Sequence, residues 1–137
     1  MNIKFKYLRV NSLEECLSAL ADYGPETAIL AGGTDLMISL RNGARTPKLV
    51  MDISRLNETR LVEKDNDTIR IGATLTYSDL IAHPLVAGNF PALATAMNCV
   101  GSPQIRNIGT LGGNIANSSP AADSVPPMMV HQAKYDF

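Results

Sequence analysis

The stretch Thr27-Ala28-Ile29-Leu30-Ala31-Gly32-Gly33-Thr34-Asp35-Leu36 decides the reading of the fold. Residues 27–30 form a short apolar strand candidate that runs straight into a glycine pair, and 36–42 then read as a short helix ended by Gly43. Upstream, a strand candidate over residues 3–10 is broken by Asn11-Ser12, after which Leu13, Cys16, Leu17 and Leu20 recur at helical spacing. Ser12 and Glu15 make a capping box for that helix, the Ser12 hydroxyl accepting from the Glu15 backbone and the Glu15 carboxylate reaching back. Gly24-Pro25 supplies the stop. Downstream, Lys48-Leu49-Val50-Met51-Asp52-Ile53 is another strand candidate, so residues 1–57 read as a βαβ-like unit.

From Leu61 the pattern changes. Leu61-Val62-Glu63, the turn cluster Asp65-Asn66-Asp67 and the alternating Thr68-Ile69-Arg70-Ile71-Gly72 predict a hairpin that opens a second unit over residues 58–137. Thr76-Tyr77-Ser78-Asp79 caps a short helix to Ala82 that Pro84 ends, and 91–100 is a further helix opened by Pro91. Residues 101–127 hold four Gly, four Pro, three Asn and four Ser, yet also Ile105, Ile108, Leu111, Ile115 and Val125. That mixture predicts an ordered backbone path pinned by apolar anchors, neither a flexible linker nor a low-complexity tail.

Composition narrows the function. A chain of 137 residues, 45% apolar, supports one core or two small units sharing one. Charged residues are 18% of the chain and the net charge is -1, so there is no polybasic footprint for nucleic acid. The longest apolar runs fall short of the roughly 20 residues of a membrane span, and no signal-peptide core follows the basic N-terminus, so a cytoplasmic location is expected. Cys16 and Cys99 sit at helical positions among apolar residues and are expected to be buried free thiols. Two thiols without Cys-x-x-Cys spacing cannot ligate an iron–sulfur cluster, and His83 and His131 are too few for a zinc site, so no metal site is expected.

The glycine pairs carry the chemistry. A diphosphate needs several backbone N–H donors converging on its oxygens, and glycine lets the main chain come close because no Cβ intervenes. Ala31, Gly32, Gly33, Thr34, Asp35 and Leu36 offer such a turn, with the Thr34 hydroxyl as an extra donor. The Asp35 carboxylate would repel a phosphate and is expected to point away, toward a cap of the following helix. Taken alone, this junction reads more readily as a plain tight turn. A second pair about 80 residues later, within Thr110-Leu111-Gly112-Gly113-Asn114, makes two loops gripping one diphosphate the better reading. Neither pair is followed by Lys-Ser/Thr and neither spells Gly-x-Gly-x-x-Gly, which disfavours a triphosphate loop and a standard dinucleotide fold.

Ala31–Leu36, the block Gly101-Ser102-Pro103-Gln104-Ile105-Arg106-Asn107-Ile108-Gly109-Thr110-Leu111-Gly112-Gly113-Asn114-Ile115-Ala116-Asn117, and Ser119–Ser124 together resemble the FAD-binding medium subunits of molybdenum hydroxylases. That family includes xanthine, carbon monoxide and nicotinate dehydrogenases. The resemblance runs from about residue 3 to residue 135. It implies an α+β fold of the p-cresol methylhydroxylase type, two small α/β subdomains of which the second is truncated here. It implies that the backbones of 31–36 and 110–114 hold the FAD pyrophosphate, that Asp123 bonds cofactor hydroxyls, and that Val100 and Gly101 pack near the flavin. A carboxylate such as Asp123 accepts well from hydroxyls, and equally serves as a loop cap. Arg106 reads as a tie to loop carbonyls in preference to a phosphate contact, and Asn114 either orients its loop or touches the cofactor. Neither motif contains His or Cys, so the flavin would be noncovalent, and no side chain is marked as catalytic.

The resemblance further implies partners: a molybdopterin-binding large subunit, a [2Fe-2S] small subunit, and NAD+ or another electron acceptor. Neither nucleic acid nor membrane is among them. Family members continue well beyond Lys134-Tyr135-Asp136-Phe137, a stretch expected to be a strand. An oxidoreductase subunit whose fragment binds FAD weakly or not at all by itself is therefore the leading expectation. The alternative is an orphan fragment or assembly module that keeps the fold without flavin turnover.

Overall fold

The computed structural model describes residues 4–136. Three strands, β1 (Lys6–Arg9), β2 (Thr27–Leu30) and β3 (Leu49–Asp52), form a parallel sheet in the order β1-β3-β2. Every residue of β3 is buried, as expected of a central strand covered on both faces. The covering follows from alternation along β3. Leu49 and Met51 face helix α1 (Leu13–Tyr23), which buries Cys16 and Ala19 with Val10 and Leu56, whereas Val50 faces the other way with Ala28 and Leu40 of helix α2 (Leu36–Arg41). The expected βαβ-like unit is thus a sheet with one helix on each side.

Two details differ from the sequence reading. Ser12 Oγ accepts from Glu15 N at 3.2 Å as expected, but the Glu15 carboxylate reaches Asn11 N, one residue further out, at 2.9 Å. Leu13 and Leu17 belong to the apolar periodicity yet lie exposed, because the face that docks is Cys16, Ala19, Leu20 and Tyr23.

The carboxyl end of β3 is fixed by Asp52, which is 3% exposed. Its carboxylate accepts from Tyr7 Oη, from Arg9 Nε at 2.9 Å and from Ser54 N at 2.9 Å. Burial alone would push this carboxyl up. The bonds from Tyr7, Ser54 and Arg9 outweigh it and hold the group at about 2. Asp52 stands beside both Arg9 and Leu30 in the register, so it locks the ends of all three strands just where residue 31 leaves the sheet.

The remainder is an antiparallel hairpin, β4 (Val62–Asp65) and β5 (Thr68–Ile71), followed by short helices. Helix α3 (Tyr77–Ala82) carries the expected Thr76/Asp79 capping box. Pro84 ends it but also opens α4 (Pro84–Asn89), a helix the sequence reading did not contain, and Pro91 opens α5 (Pro91–Cys99). Residues 101–127, expected to be an ordered path held by apolar anchors, contain α6 (Pro103–Arg106), α7 (Leu111–Asn117) and the start of α8 (Val125–Val130). Ser102 and Thr110 cap the first two through their hydroxyls. A core of Leu75, Tyr77, Leu80, Val86, Leu93, Met97, Leu111 and Met128 holds these helices together. Residues 133–136 form no strand, and Phe137 lies outside the described residues, as do residues 1–3 of the first strand candidate. Cys16 is buried as expected, but Cys99 is exposed at the end of α5; both are free thiols.

Candidate functional site

Residues 31–36 leave the carboxyl end of β2 as an open turn. Gly33 has φ +79°, a conformation that favours glycine, and a Cβ there would lie 2.7 Å from Leu30 Cδ1. The carbonyls of Gly33 and Asp35 accept from Met37 N and Ser39 N. In contrast, no backbone N–H from Ala31 to Leu36 donates to a protein acceptor among the described residues. Several unspent amides around a positive-φ glycine are what a diphosphate cradle requires. Thr34 Oγ1 donates to Asp35 Oδ2 at 3.0 Å, and Asp35 makes no side-chain cap of α2, so the expected cap is replaced by this bond on the exposed side of the turn.

Gly32 has a different reason. A Cβ on it would stand 1.9 Å from the Ile108 carbonyl oxygen and 3.0 Å from Gly109 Cα. The first glycine motif therefore rests directly on the strap, residues 108–110, that leads into the second. The two motifs, distant in sequence, are brought together as expected.

The second motif is not a loop. Gly112 and Gly113 are in the first turn of α7, behind the Thr110 cap. Its amides are committed: Leu111 N to Leu75 O at 3.2 Å, Gly112 N to Ala73 O at 3.0 Å, Gly113 N to Thr110 Oγ1 at 3.1 Å and Asn114 N to Thr110 O at 3.0 Å. Gly112 is glycine because a Cβ would meet Ala73 Cβ and O at 2.6 Å. The backbone role inferred for 110–114 from resemblance is thus narrowed; of these residues Asn114 has the polar side chain left for a ligand, with Oδ1 already accepting from Ser124 Oγ at 2.8 Å.

Arg106 donates through Nη1 to the carbonyls of Val100 at 3.0 Å and Gly101 at 3.3 Å, the tying role favoured by the sequence. Gly101 has φ +48° and packs on Ile105, whose carbonyl accepts from Gly109 N at 2.6 Å. Val100 and Gly101 are therefore linked to the strap through α6. Asp123 lies exposed in the turn before α8, next to fully buried Ser124.

Tyr77, unmarked in the sequence reading, stands under the junction. Its ring lies against Gly109, where an added Cβ would be 3.5 Å from it, and its backbone N–H donates to the Gly109 carbonyl at 3.0 Å. The hydroxyl is buried; it faces Ser124 but makes no hydrogen bond of acceptable geometry. Burial pushes this phenol up to about 12, Ser124 pulls it the other way, and the carboxylates of Asp35 and Asp123 add to the rise. An aromatic at the start of a capped helix reads as core, so only the long-range packing could have exposed it.

Other candidates serve structure. His83 Nδ1 accepts from Leu85 N at the start of α4, and His131 packs edge-on against Phe90 with ring centroids 4.8 Å apart. Among the described residues no group of three or more His, Cys, Asp or Glu is placed to hold a metal ion, and no helix is long and apolar enough to cross a membrane. Two open surface hollows, one along α1 and one between Asn11, Ser54, Arg55, Asn57 and Arg60, lie apart from both glycine motifs. The unspent amides around the positive-φ Gly33 are the donor set that a diphosphate would need.

The comparisons with known proteins agree. Residues 3–137 match the family described as the FAD binding domain in molybdopterin dehydrogenase. The chain is 41% identical over 125 residues to the nicotinate dehydrogenase FAD-subunit of Eubacterium barkeri, covering 90% of this chain and 42% of the relative. It is 37% identical over 132 residues to the xanthine dehydrogenase FAD-binding subunit of Escherichia coli O157:H7, covering 96% and 45%. Among solved structures, carbon monoxide dehydrogenase of Hydrogenophaga pseudoflava superposes with a TM-score of 0.86 at 34% identity, over 90% of this chain and 43% of that one. Quinoline 2-oxidoreductase of Pseudomonas putida 86 gives 0.85 at 30% identity, over 90% and 44%. The chain spans less than half the length of these relatives. It belongs to the family of FAD-binding domains of molybdopterin dehydrogenases.

Proposed function

We propose that this chain is the pyrophosphate-holding part of a noncovalent FAD site in an electron-transfer subunit. The observation that carries the reading is the run of unspent amides from Ala31 to Leu36 on a turn braced by the 108–110 strap. Ala31 to Leu36 donate main-chain N–H bonds to the diphosphate. Asn114 and Asp123 supply side-chain contacts, and Val100 and Gly101, held by Arg106, form a wall near the ring. When bound, the flavin supplies the redox chemistry, so the protein's part is to bind, orient and shield it, with no side-chain nucleophile.

Relatives named as FAD subunits and medium chains of dehydrogenases support a place in a larger assembly. In it a molybdopterin-binding large subunit oxidises the substrate, a [2Fe-2S] small subunit passes electrons to this subunit, and NAD+ or another acceptor takes them. The units 1–57 and 58–137 would then clasp the diphosphate between them, and a cytoplasmic location fits such a complex.

The test is a titration with FAD followed by flavin fluorescence, repeated with Gly33→Val and Gly113→Val. Valine at 33 is strained at φ +79° and meets Leu30, so affinity is expected to fall about tenfold or more with the fold retained. Valine at 113 collides with Thr110 Oγ1 and is expected to weaken binding and stability together. FAD binding that survives both substitutions would remove the proposal.

A further inference from the structure

The Tyr77 hydroxyl is the group in this site that neither the fold nor the cofactor assignment uses. A buried hydroxyl without a partner is costly, and proteins seldom leave one unless another state satisfies it. Three observations say which state. The ring supports Gly109, in the strap on which Gly32 rests, so the position of the first glycine motif is transmitted to Tyr77. The hydroxyl faces Ser124, which is fully buried and already donates to Asn114 Oδ1 at 2.8 Å. The carboxylates of Asp35, in the first motif, and Asp123, in the turn next to Ser124, both act on the Tyr77 phenol and raise it.

We propose that Tyr77 is a positioning residue for the dinucleotide. Seating the diphosphate on residues 31–36 presses the strap and closes a buried relay, in which the Tyr77 hydroxyl donates to Ser124 Oγ and Ser124 donates to Asn114 Oδ1. The relay locks the Asp123 turn against α7. Aligned hydroxyl donors strengthen one another, so the Ser124–Asn114 bond, already made at 2.8 Å, is reinforced when the first motif is filled, and Asp123 and Asn114 are held more firmly. Because Tyr77 stays protonated throughout the neutral range, it is always a donor. The inference rests on FAD being the ligand of the 31–36 turn.

The experiment is an amide-resolved NMR titration of the 137-residue chain with FAD, which registers weak as well as tight binding. In the unsubstituted chain the signals of residues 31–36 and those of Asn114 and Ser124 are expected to move together. In Tyr77→Phe the first set still moves, the second set does not, and affinity falls about three- to tenfold. Removing an orphaned hydroxyl leaves the thermal midpoint of the FAD-free protein unchanged or higher, which a purely structural tyrosine would not do. In a Ser124→Ala background, Tyr77→Phe is expected to have no further effect on FAD affinity. Three results overturn the relay: Tyr77→Phe binding FAD as tightly as the unsubstituted chain, a lowered midpoint in its FAD-free form, or an undiminished effect on top of Ser124→Ala. If residues 31–36 do not respond to FAD at all, the cofactor reading fails and takes the relay with it. If they respond while Tyr77→Phe changes nothing, the relay alone fails.

Discussion

The two glycine pairs are alike in sequence and opposite in use. Around Gly32-Gly33 the main chain leaves its N–H groups unspent and turns through a positive φ; around Gly112-Gly113 it enters a helix and commits four successive amides to protein acceptors. A glycine pair therefore has two distinct physical meanings. One is access, where a missing Cβ lets a ligand or a strained turn exist. The other is contact, where a missing Cβ lets one backbone lie on another, and Gly32 and Gly112 are of this second kind.

That contrast can be broken in several places. The largest effect is expected from Gly32→Ala, because the new methyl would sit 1.9 Å from a backbone carbonyl that has no side chain to swing aside. A loss of about 3 kcal/mol in urea unfolding is expected, and unchanged stability would show that the strap is not held by this glycine. Next comes acid. The Asp52 carboxyl is held at about 2 against 3.8 in its unperturbed state, so its stabilisation is full above about pH 4 and lost as pH falls toward 2. That loss is about 2 kcal/mol, and on this acidification protection against hydrogen exchange should be lost at Val10 and Ile53, whose amides bond Asp52 O and Leu30 O, before it is lost at residues 111–114. Simultaneous loss in both would mean that the motifs are not separately anchored. A smaller effect, about 1 kcal/mol, is expected for Thr110→Ala, which removes the cap of α7. The smallest is Thr34→Ala, within about 0.5 kcal/mol by thermal unfolding, since its hydroxyl bonds only exposed Asp35. Equal costs for the two threonines would erase the distinction between a structural and an open motif.

The sequence announced whatever depends on near neighbours. The Ser12 and Thr76 caps, the alternation on the central strand and the Arg106 tie are each settled within a few residues. The sequence pairing of the two glycine motifs fits the contact of Gly32 with the strap that leads into the second. What stayed hidden has a common cause. Leu13 and Leu17 fit helical periodicity, but which face docks is chosen by the sheet, which prefers small Cys16 and Ala19. Residues 101–127 read as an ordered path, but its helices went unassigned because Gly and Pro are poor helix formers. Pro103 nevertheless sits at the start of α6 where proline is tolerated, and in α7 Ala73 leaves room for nothing larger than Gly112, while the capping Thr110 Oγ1 crowds Gly113. Tyr77 and Ser124 meet across more than 40 residues of chain, and no local pattern encodes such an encounter.

The strand order has a consequence for how the protein is made. β1 and β2 do not touch; each pairs with β3, the last of the three to leave the ribosome. A sheet cannot nucleate until residues 49–52 arrive between two strands already waiting, and parallel pairing of this kind is slow because loops must close before any ladder forms. Residues 31–36 are thus synthesised before the strand that fixes their base and before the strap that braces them. During that interval both strands have open edges, and β2 is apolar, making the nascent first half the stage at which a chaperone would matter most.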